Sequence, residues 1–277
     1  MRTVIILGVV GVIAGCSDYD LEAKAPAADG EERDSGTFEP DVDTSETGES
    51  DDSGGGVIID TSDPEVASEP VYINSGSTLY SFDPTTRSAT QIGQFRDGGV
   101  LESSMTDIAI DLSGHMYGVA YTELYRINPT TAAITWEGTL DDSSNALTFL
   151  SDGTLVAAGD GGIVTIDPTT MRQDKLGGRG YTSSGDIVGL PDGYLYWSVT
   201  AGGNDDLVQV DPSNGVCTRL GSIGAGGVYA LGYAYGDLYG FTSTDKVVVI
   251  DASTGRATRT DGLNGTWWGA TTNPVLW

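Results

Sequence analysis

One phrase is written five times along this chain, and it limits the fold more than any other feature. LYSFDPTTRSATQIGQF stands at 79–95, LYRINPTTAAITWEGTL at 124–140 and IVTIDPTTMRQDKLGG at 163–178. LVQVDPSNGVCTRLGSIG follows at 207–224, then VVVIDASTGRATRTDGL at 247–263. Its markers are Asp83-Pro84, Asn128-Pro129, Asp167-Pro168, Asp211-Pro212 and Asp251-Ala252, spaced 45, 39, 44 and 40 residues apart. Self-similarity at a fixed period of this length means one supersecondary unit repeated in space, each copy burying its face against the next.

Each unit has the same grammar, and it is the grammar of strands. In the second, Asp107–Ile110 reads as a short inner strand, followed by a Leu-Ser-Gly turn at 112–114. His115–Tyr121 reads as the next strand, Glu123–Ile127 as the third, and Ile134–Leu140 as the outer one, after the Asn-Pro-Thr-Thr turn. Inner turns recur at Ser151-Asp-Gly153, Pro191-Asp-Gly193 and Tyr235-Gly236-Asp237, with residues suited to turns: Asp bonds its own backbone, Pro fixes φ, and Gly allows positive φ. No helical periodicity intervenes. Four strands per forty-odd residues is the period of a β-propeller blade. The phrase then closes each blade as a hairpin between third and outer strands, and its aspartates are read as turn residues rather than catalysts. The first unit enters at Val71-Tyr72-Ile73, already in its second strand, while Trp267–Trp277 reads as an inner strand and turn with no continuation. The expectation is an all-β, five-bladed propeller over 71–277, its ring closed by a strand swap that removes open edges.

The chain ahead of the ring has a different character. MRTVIILGVVGVIAGC carries a basic residue and then an apolar run from Val4 to Ile13, too short for a spanning helix but suited to a secretory signal. Ile13-Ala14-Gly15-Cys16 resembles the lipobox of bacterial lipoproteins. That resemblance implies a signal peptide at 1–15 and acylation of Cys16, whose two or three chains would anchor the protein at a membrane. By resemblance to the lipoprotein sorting rule of enteric bacteria, Ser17 in place of Asp implies the outer membrane rather than the inner. Residues 17–70 hold 18 Asp or Glu against Lys24 and Arg33. Such a segment buries too little apolar area to offset its ordering entropy, so 16–70 is read as a lipidated cysteine and a disordered acidic tether, about 40 Å in r.m.s. span. Its Asp-rich patches lack the fixed spacing and central Gly of a calcium loop. The whole chain has 13 basic and 40 acidic residues, net −27. That charge argues against nucleic acid and anionic headgroups as partners. A monomer is expected.

The repeats resemble the broad group of bacterial β-propellers that includes quinoprotein-like and YVTN-type domains. Leu195-Tyr196-Trp197-Ser198 is similar to the YWTD repeat, although the other blades read HMYGV, LVAAG and DLYGF. The quinoprotein tryptophan docking motif is absent, and no cofactor or metal is expected. His115 is the only histidine, so a Ser-His-Asp triad or a histidine-rich metal centre lacks its parts. Once Cys16 is lipidated, Cys217 has no disulfide partner, and it reads as a small half-buried strand residue.

In propellers of this kind ligands bind on the face of the outer-to-inner connections, over the central channel. Alignment on the inner turns puts Asp107, Ala146, Asp186, Tyr229 and Trp267 at equivalent positions around that mouth. Asp107 and Asp186 could then bind a cation or act as an acid/base pair, and Trp267, Trp268, Tyr229 and Tyr181 could stack on a sugar or a peptide. The structural alternative is that these aromatics fill blade interfaces and the aspartates bond backbone amides. Two functions stay open. One is a membrane-anchored, non-catalytic binding or scaffolding module with a glycan or protein ligand. The other is a carbohydrate-active enzyme of the glycoside hydrolase type, which some five-bladed propellers are and which needs carboxylates in the central cleft.

Overall fold

The computed structural model describes residues 65–98 and 104–277. The expected signal peptide, Cys16 and the tether as far as residue 64 lie outside the described residues. The described chain folds into five antiparallel sheets. The first blade holds β1 (Val71–Asn74), β2 (Thr78–Asp83) and β3 (Ser88–Gln94); the second holds β4 (Asp107–Ile110), β5 (Met116–Ile127) and β6 (Ile134–Ser144). The third is built from β7 (Ala146–Phe149), β8 (Leu155–Gly159), β9 (Gly162–Ile166) and β10 (Gln173–Gly177). The fourth has β11 (Ser183–Gly189), β12 (Leu195–Thr200), β13 (Asp205–Val210) and β14 (Cys217–Ser222); the fifth has β15 (Val228–Ala234), β16 (Asp237–Thr242), β17 (Lys246–Asp251) and β18 (Arg256–Gly262). The last strand, β19 (Gly269–Thr272), returns to the first blade. This is the five-bladed propeller that the repeats call for. Among the described residues no helix is long and apolar enough to cross a membrane.

In the second blade β5 runs without a break through two strands, so this blade also has four. An extended strand advances about 3.4 Å per residue, which would hold Tyr117 and Arg126 about 30 Å apart. Instead the Arg126 guanidinium donates to the Tyr117 hydroxyl at 2.8 Å and stacks over that ring at 4.8 Å. The chain therefore doubles back inside β5, at Tyr121, whose φ is 57°. Met116–Val119 pairs with β4, and Glu123–Ile127 pairs with β6. The two strands expected at 115–121 and 123–127 are both present.

Both faces of a blade's inner strands are covered by its neighbours, which is why Asp-Ile-Ala-Ile and Leu-Val-Ala-Ala-Gly are buried throughout in β4 and β8. The outer strands meet solvent and are mostly polar, as in β3 and β18. The apolar core is accordingly distributed over the seams between blades. Tyr72, Leu79 and Phe95 of the first blade pack with Ile108, Met116 and Ile127 of the second. Val119 and Leu124 meet Leu147 and Leu155, and Val156 and Ile163 meet Trp197 and Val208. Val188, Tyr196 and Leu207 face Leu231 and Val248, and Phe82 stacks edge-on against Tyr239 and Phe241 at the closing seam.

The repeated phrase does two jobs. Its first is the turn. In every copy the residue four after the Asp or Asn donates its N–H to that residue's carbonyl, at 2.7 Å for Arg87 and 2.8 Å for Ala132, Met171, Gly215 and Gly255. These five residues are left-handed, with φ from 55° to 72°, and only the last two are glycines. The leading carboxylate holds the turn together: Asp83 accepts the Thr86 hydroxyl at 2.6 Å and the Thr85 N–H at 2.8 Å, which keeps its carboxyl below the usual range. The second job is packing between blades. Gly221 lies opposite Leu207 in the outer strand, and a Cβ there would collide with the Thr254 carbonyl in the next blade's turn. Gly93 stands at the same register opposite Leu79 and meets the Thr131 carbonyl in the same way. In the fifth blade that register position, opposite Val247, is Asp261. There the carboxylate pairs with Arg87, in the first blade's turn, at 3.2 Å and with Arg259 at 2.7 Å. Four seams close by bringing a glycine against the next turn, and the closing seam uses an ion pair.

The strand swap is present. β19 runs antiparallel to β1, with Val71 opposite Thr272 and Asn74 opposite Gly269. It is shorter than the sequence suggested, because Pro274–Leu276 turns into a 3-10 helix capped by Asn273. The Asn273 amide donates to the carbonyls of Ala67 at 3.2 Å and Glu69 at 3.1 Å, so the segment leading into β1 is tied to the one that follows β19. Ordered packing also begins earlier than Val71. Ala67 is fully buried and donates its N–H to Gly114 at 2.6 Å, and Val66 bridges to His115.

Candidate site at the channel mouth

The two aspartates singled out in the sequence meet on the propeller axis. Both are fully buried. Asp107 accepts N–H groups on both oxygens: Oδ1 from Ile108 at 2.7 Å and Oδ2 from Leu147 at 2.6 Å. Asp186 takes two on Oδ2, from Leu231 at 2.5 Å and from Ala270 at 3.2 Å. Asp107 thereby joins the inner strands β4 and β7, and Asp186 joins β11, β15 and β19. Two carboxylates span all five blades. Of the roles open to them in the sequence, bonding backbone amides is the one this geometry matches. Burial raises both carboxyls above the ordinary value, and the neighbouring Asp186 raises Asp107 further. Two buried carboxyls side by side favour sharing a proton over both being ionised. Among the described residues no group of three or more His, Cys, Asp or Glu side chains is placed to hold a metal.

The strand register corrects the inner ring. The residues level with Asp107 and Asp186 are Ala146, Ala230 and Gly269. Tyr229 is displaced by one residue because the pairing of β15 and β16 is bulged between Val228 and Ala230. Trp267 precedes the ring position by two residues. It is buried in the closing seam, where its indole N–H donates to Leu263 at 3.1 Å and its ring meets Tyr80 edge-on. Tyr181 is partly buried and stacks edge-on against Trp197, 6.1 Å between centroids, in the seam between the third and fourth blades.

Above the aspartates is a cavity of about 190 Å³ lined by Thr106, Tyr121, Asn145, Ser184, Gly185, Tyr229 and Trp268. Every blade contributes to it. Trp268 and Tyr229 were legible in the sequence; Tyr121 and Asn145 were not. They are brought there together, because β6 continues to Ser144 where a loop was expected, and Ser144 pairs with the left-handed Tyr121. Tyr121 and Tyr229 are exposed and Trp268 is half-buried. The Thr106 hydroxyl is used up internally, donating to Val119 at 2.9 Å and Ser144 at 3.2 Å. Asn145 Oδ1 is buried without a hydrogen-bond partner. No charged side chain lines the cavity among the described residues.

His115 sits elsewhere, at the inner turn, 3.3 Å from Asp111. Cys217 is half-buried in β14 and packs against the third seam.

No family model matches this chain, and no curated protein does. Solved structures match it in fold. A chain of a nidogen/laminin complex is 13% identical with a TM-score of 0.54, over 75% of this chain and 99% of that one. A Bacteroides caccae protein of unknown function is 12% identical over 71% of this chain and 76% of its own, with a TM-score of 0.45. The Kuenenia stuttgartiensis hydrazine synthase is 15% identical over 61% and 52%, also at 0.45. At such identities the likeness extends to the fold alone, and this chain is a five-bladed β-propeller.

Proposed function

We propose that this chain is a lipid-anchored, non-catalytic binding module of the cell envelope, held by Cys16 on an acidic tether and offering the channel mouth to a ligand. One observation carries the reading: all five blades converge on an aromatic recess whose described lining has no charged side chain, above a floor sealed by amide-bonded aspartates. A glycosidase needs two carboxylates open to its substrate. Asp107 and Asp186, the pair the enzymatic alternative would use, are buried beneath the recess with their amide bonds made. The direction of the mouth fits a tethered disc. Ala67 bonds to Gly114 just beyond the far end of β4, a strand of four residues or about 13 Å, while Thr106 lines the mouth just before it. The described chain thus enters on the face opposite the recess.

The test is to incubate the full chain with a panel of oligosaccharides, following binding by calorimetry and products by mass. Binding without turnover is expected. Turnover that disappears in Asp107→Asn would turn the assignment to the enzyme.

A further inference from the structure

We infer that the propeller axis binds a calcium ion between Asp107, Asp186 and Asn74. The inference lies beyond the mouth and does not depend on what the mouth binds. It starts from a third axial side chain. Asn74, at the end of β1, is fully buried and stands opposite Gly269. Its NH₂ group donates to the carbonyls of Ser75 at 3.0 Å and Met105 at 3.1 Å, which fixes the amide and leaves Oδ1 without a hydrogen-bond partner. That oxygen lies beside a carboxylate: a Cβ on Gly269 would stand 2.6 Å from Asn74 Oδ1 and 2.3 Å from Asp107 Oδ1. Turning the amide over would bring its NH₂ to Asp107 but set its carbonyl against two others. Asp186 reaches the next residue, Ala270, whose N–H it accepts on Oδ2 at 3.2 Å, and its Oδ1 makes no hydrogen bond of good geometry. The two carboxyls are within hydrogen-bond reach of each other.

Three side-chain acceptors therefore meet at Gly269–Ala270 with no side-chain donor among them. A single proton shared by the carboxyls satisfies one contact and leaves Asn74 Oδ1 against an acceptor, whereas a cation is attracted by all three. The ligand set selects the ion. Every group is a hard oxygen, with no sulfur or ring nitrogen, and two carboxylates match a charge of +2. Calcium accepts irregular sets of carboxylate and carbonyl oxygens at about 2.3–2.6 Å, while magnesium demands near-ideal octahedral geometry and gives up its water reluctantly. At that distance the ion sits closer than a hydrogen-bonded water, whose oxygen stays about 2.7–2.8 Å away. Oxygens that water does not touch thus remain ligands for an ion enclosed as the ring closes. Water from the recess above completes the shell. Bound there, calcium would tie together the same inner strands that the aspartates join through their amides.

The experiment uses the full chain, stripped with a chelator and titrated with calcium or magnesium near neutral pH, followed by melting and by terbium luminescence. Terbium is excited through tryptophan. Trp267 and Trp268 run directly into Gly269 and residues 17–70 hold no tryptophan, so this signal reads the ring rather than the acidic segment. Calcium roughly 100-fold above its Kd should raise the melting temperature by about 5–10 °C, and magnesium should raise it less. Terbium should saturate at one ion per chain and be displaced by calcium. Asp186→Asn keeps both amides on its carbonyl, so in chelator it should melt no lower than the wild type; with calcium it should lose the rise and at least tenfold in terbium affinity. Asp160→Asn, at an exposed turn of the third blade, should keep both. An equal calcium response in the wild type and Asp186→Asn would put the ion on the acidic surface and overturn the inference. An equal response to magnesium, or none to calcium, would overturn it as well.

Discussion

The buried aspartate pair makes an asymmetric prediction, because the two carboxylates are bonded differently. Asp107 uses both oxygens on amides, one from Ile108 and one from Leu147. In Asp107→Asn the new NH₂ group must face one of those donors, and a buried N–H loses its acceptor at a cost of about 1–3 kcal/mol. Asp186 takes the Leu231 and Ala270 amides on Oδ2 alone, and its Oδ1 makes no hydrogen bond of good geometry, the neighbouring Ile187 amide adding only a weaker pull on the carboxylate. In Asp186→Asn the carbonyl keeps Leu231 and Ala270, the NH₂ takes the place of the unbonded Oδ1, and the charge beside Asp107 that raises its carboxyl is gone. The pH dependence follows with its sign. Both folded-state carboxyls are raised, so the folded protein holds a proton that the unfolded chain releases near the ordinary value of 3.8. The stability from that proton is full below about pH 4 and falls as pH rises toward the raised folded value, by at most about 1.4 kcal/mol per pH unit for each proton retained. Thermal melts of the wild type and both variants from pH 4 to 9 test this. Asp186→Asn should match or exceed the wild type, its advantage growing with pH, and Asp107→Asn should melt lower throughout. Equal losses in the two variants, or equal pH slopes in all three proteins, would refute the argument.

The seams give further tests. Gly221→Ala drives a methyl into the Thr254 carbonyl and should cost about 1–3 kcal/mol, whereas Gly262→Ala, with nothing within 4 Å of the added carbon, should be close to neutral; paired melts decide. Asp261→Ala removes the partly exposed ion pair at the closing seam and should cost only about 0.2–1 kcal/mol, a loss that shrinks in high salt. Truncation after Gly265 deletes β19 and the indole of Trp267, whose burial alone is worth about 1.5–3 kcal/mol, and removes the Ala270 donor from Asp186. Because Trp277 is exposed and Trp268 only half-buried, most of that loss comes from the strand and Trp267. The product should aggregate or melt without cooperativity in calorimetry, and a sharp melt near the wild-type temperature would contradict the closure.

The fold was legible because its grammar is local. The Asp-Pro-Thr-Thr turn, the inner Gly turns and the forty-residue period each follow from short-range backbone chemistry, and five copies make the signal redundant. The incomplete first unit and the surplus strand at the C-terminus announced the swap. The site was legible only in part, because it depends on register. The alignment that levelled Tyr229 and Trp267 with Asp107 assumed strands without bulges. The extra residue between Val228 and Ala230 shifts one, and β19 begins only at Gly269. Tyr121 and Asn145 reach the mouth through the tight turn inside β5 and an extension of β6 to Ser144, which no other outer strand has and which therefore leaves no periodic trace. The seam role of the outer-strand glycines was written in the phrase, but its meaning needed the neighbouring blade's turn.

Native-state hydrogen exchange at three amides tests the account most directly. The N–H groups of Leu147, Leu231 and Ala270 lie on three different inner strands and all end on the two buried carboxylates. A ring closed by β19 and locked at its axis predicts that all three exchange only through global unfolding, within about tenfold of the slowest amides of β8 and β12. Rapid exchange at Ala270 while Leu147 stays protected would mean that the last strand does not close the ring.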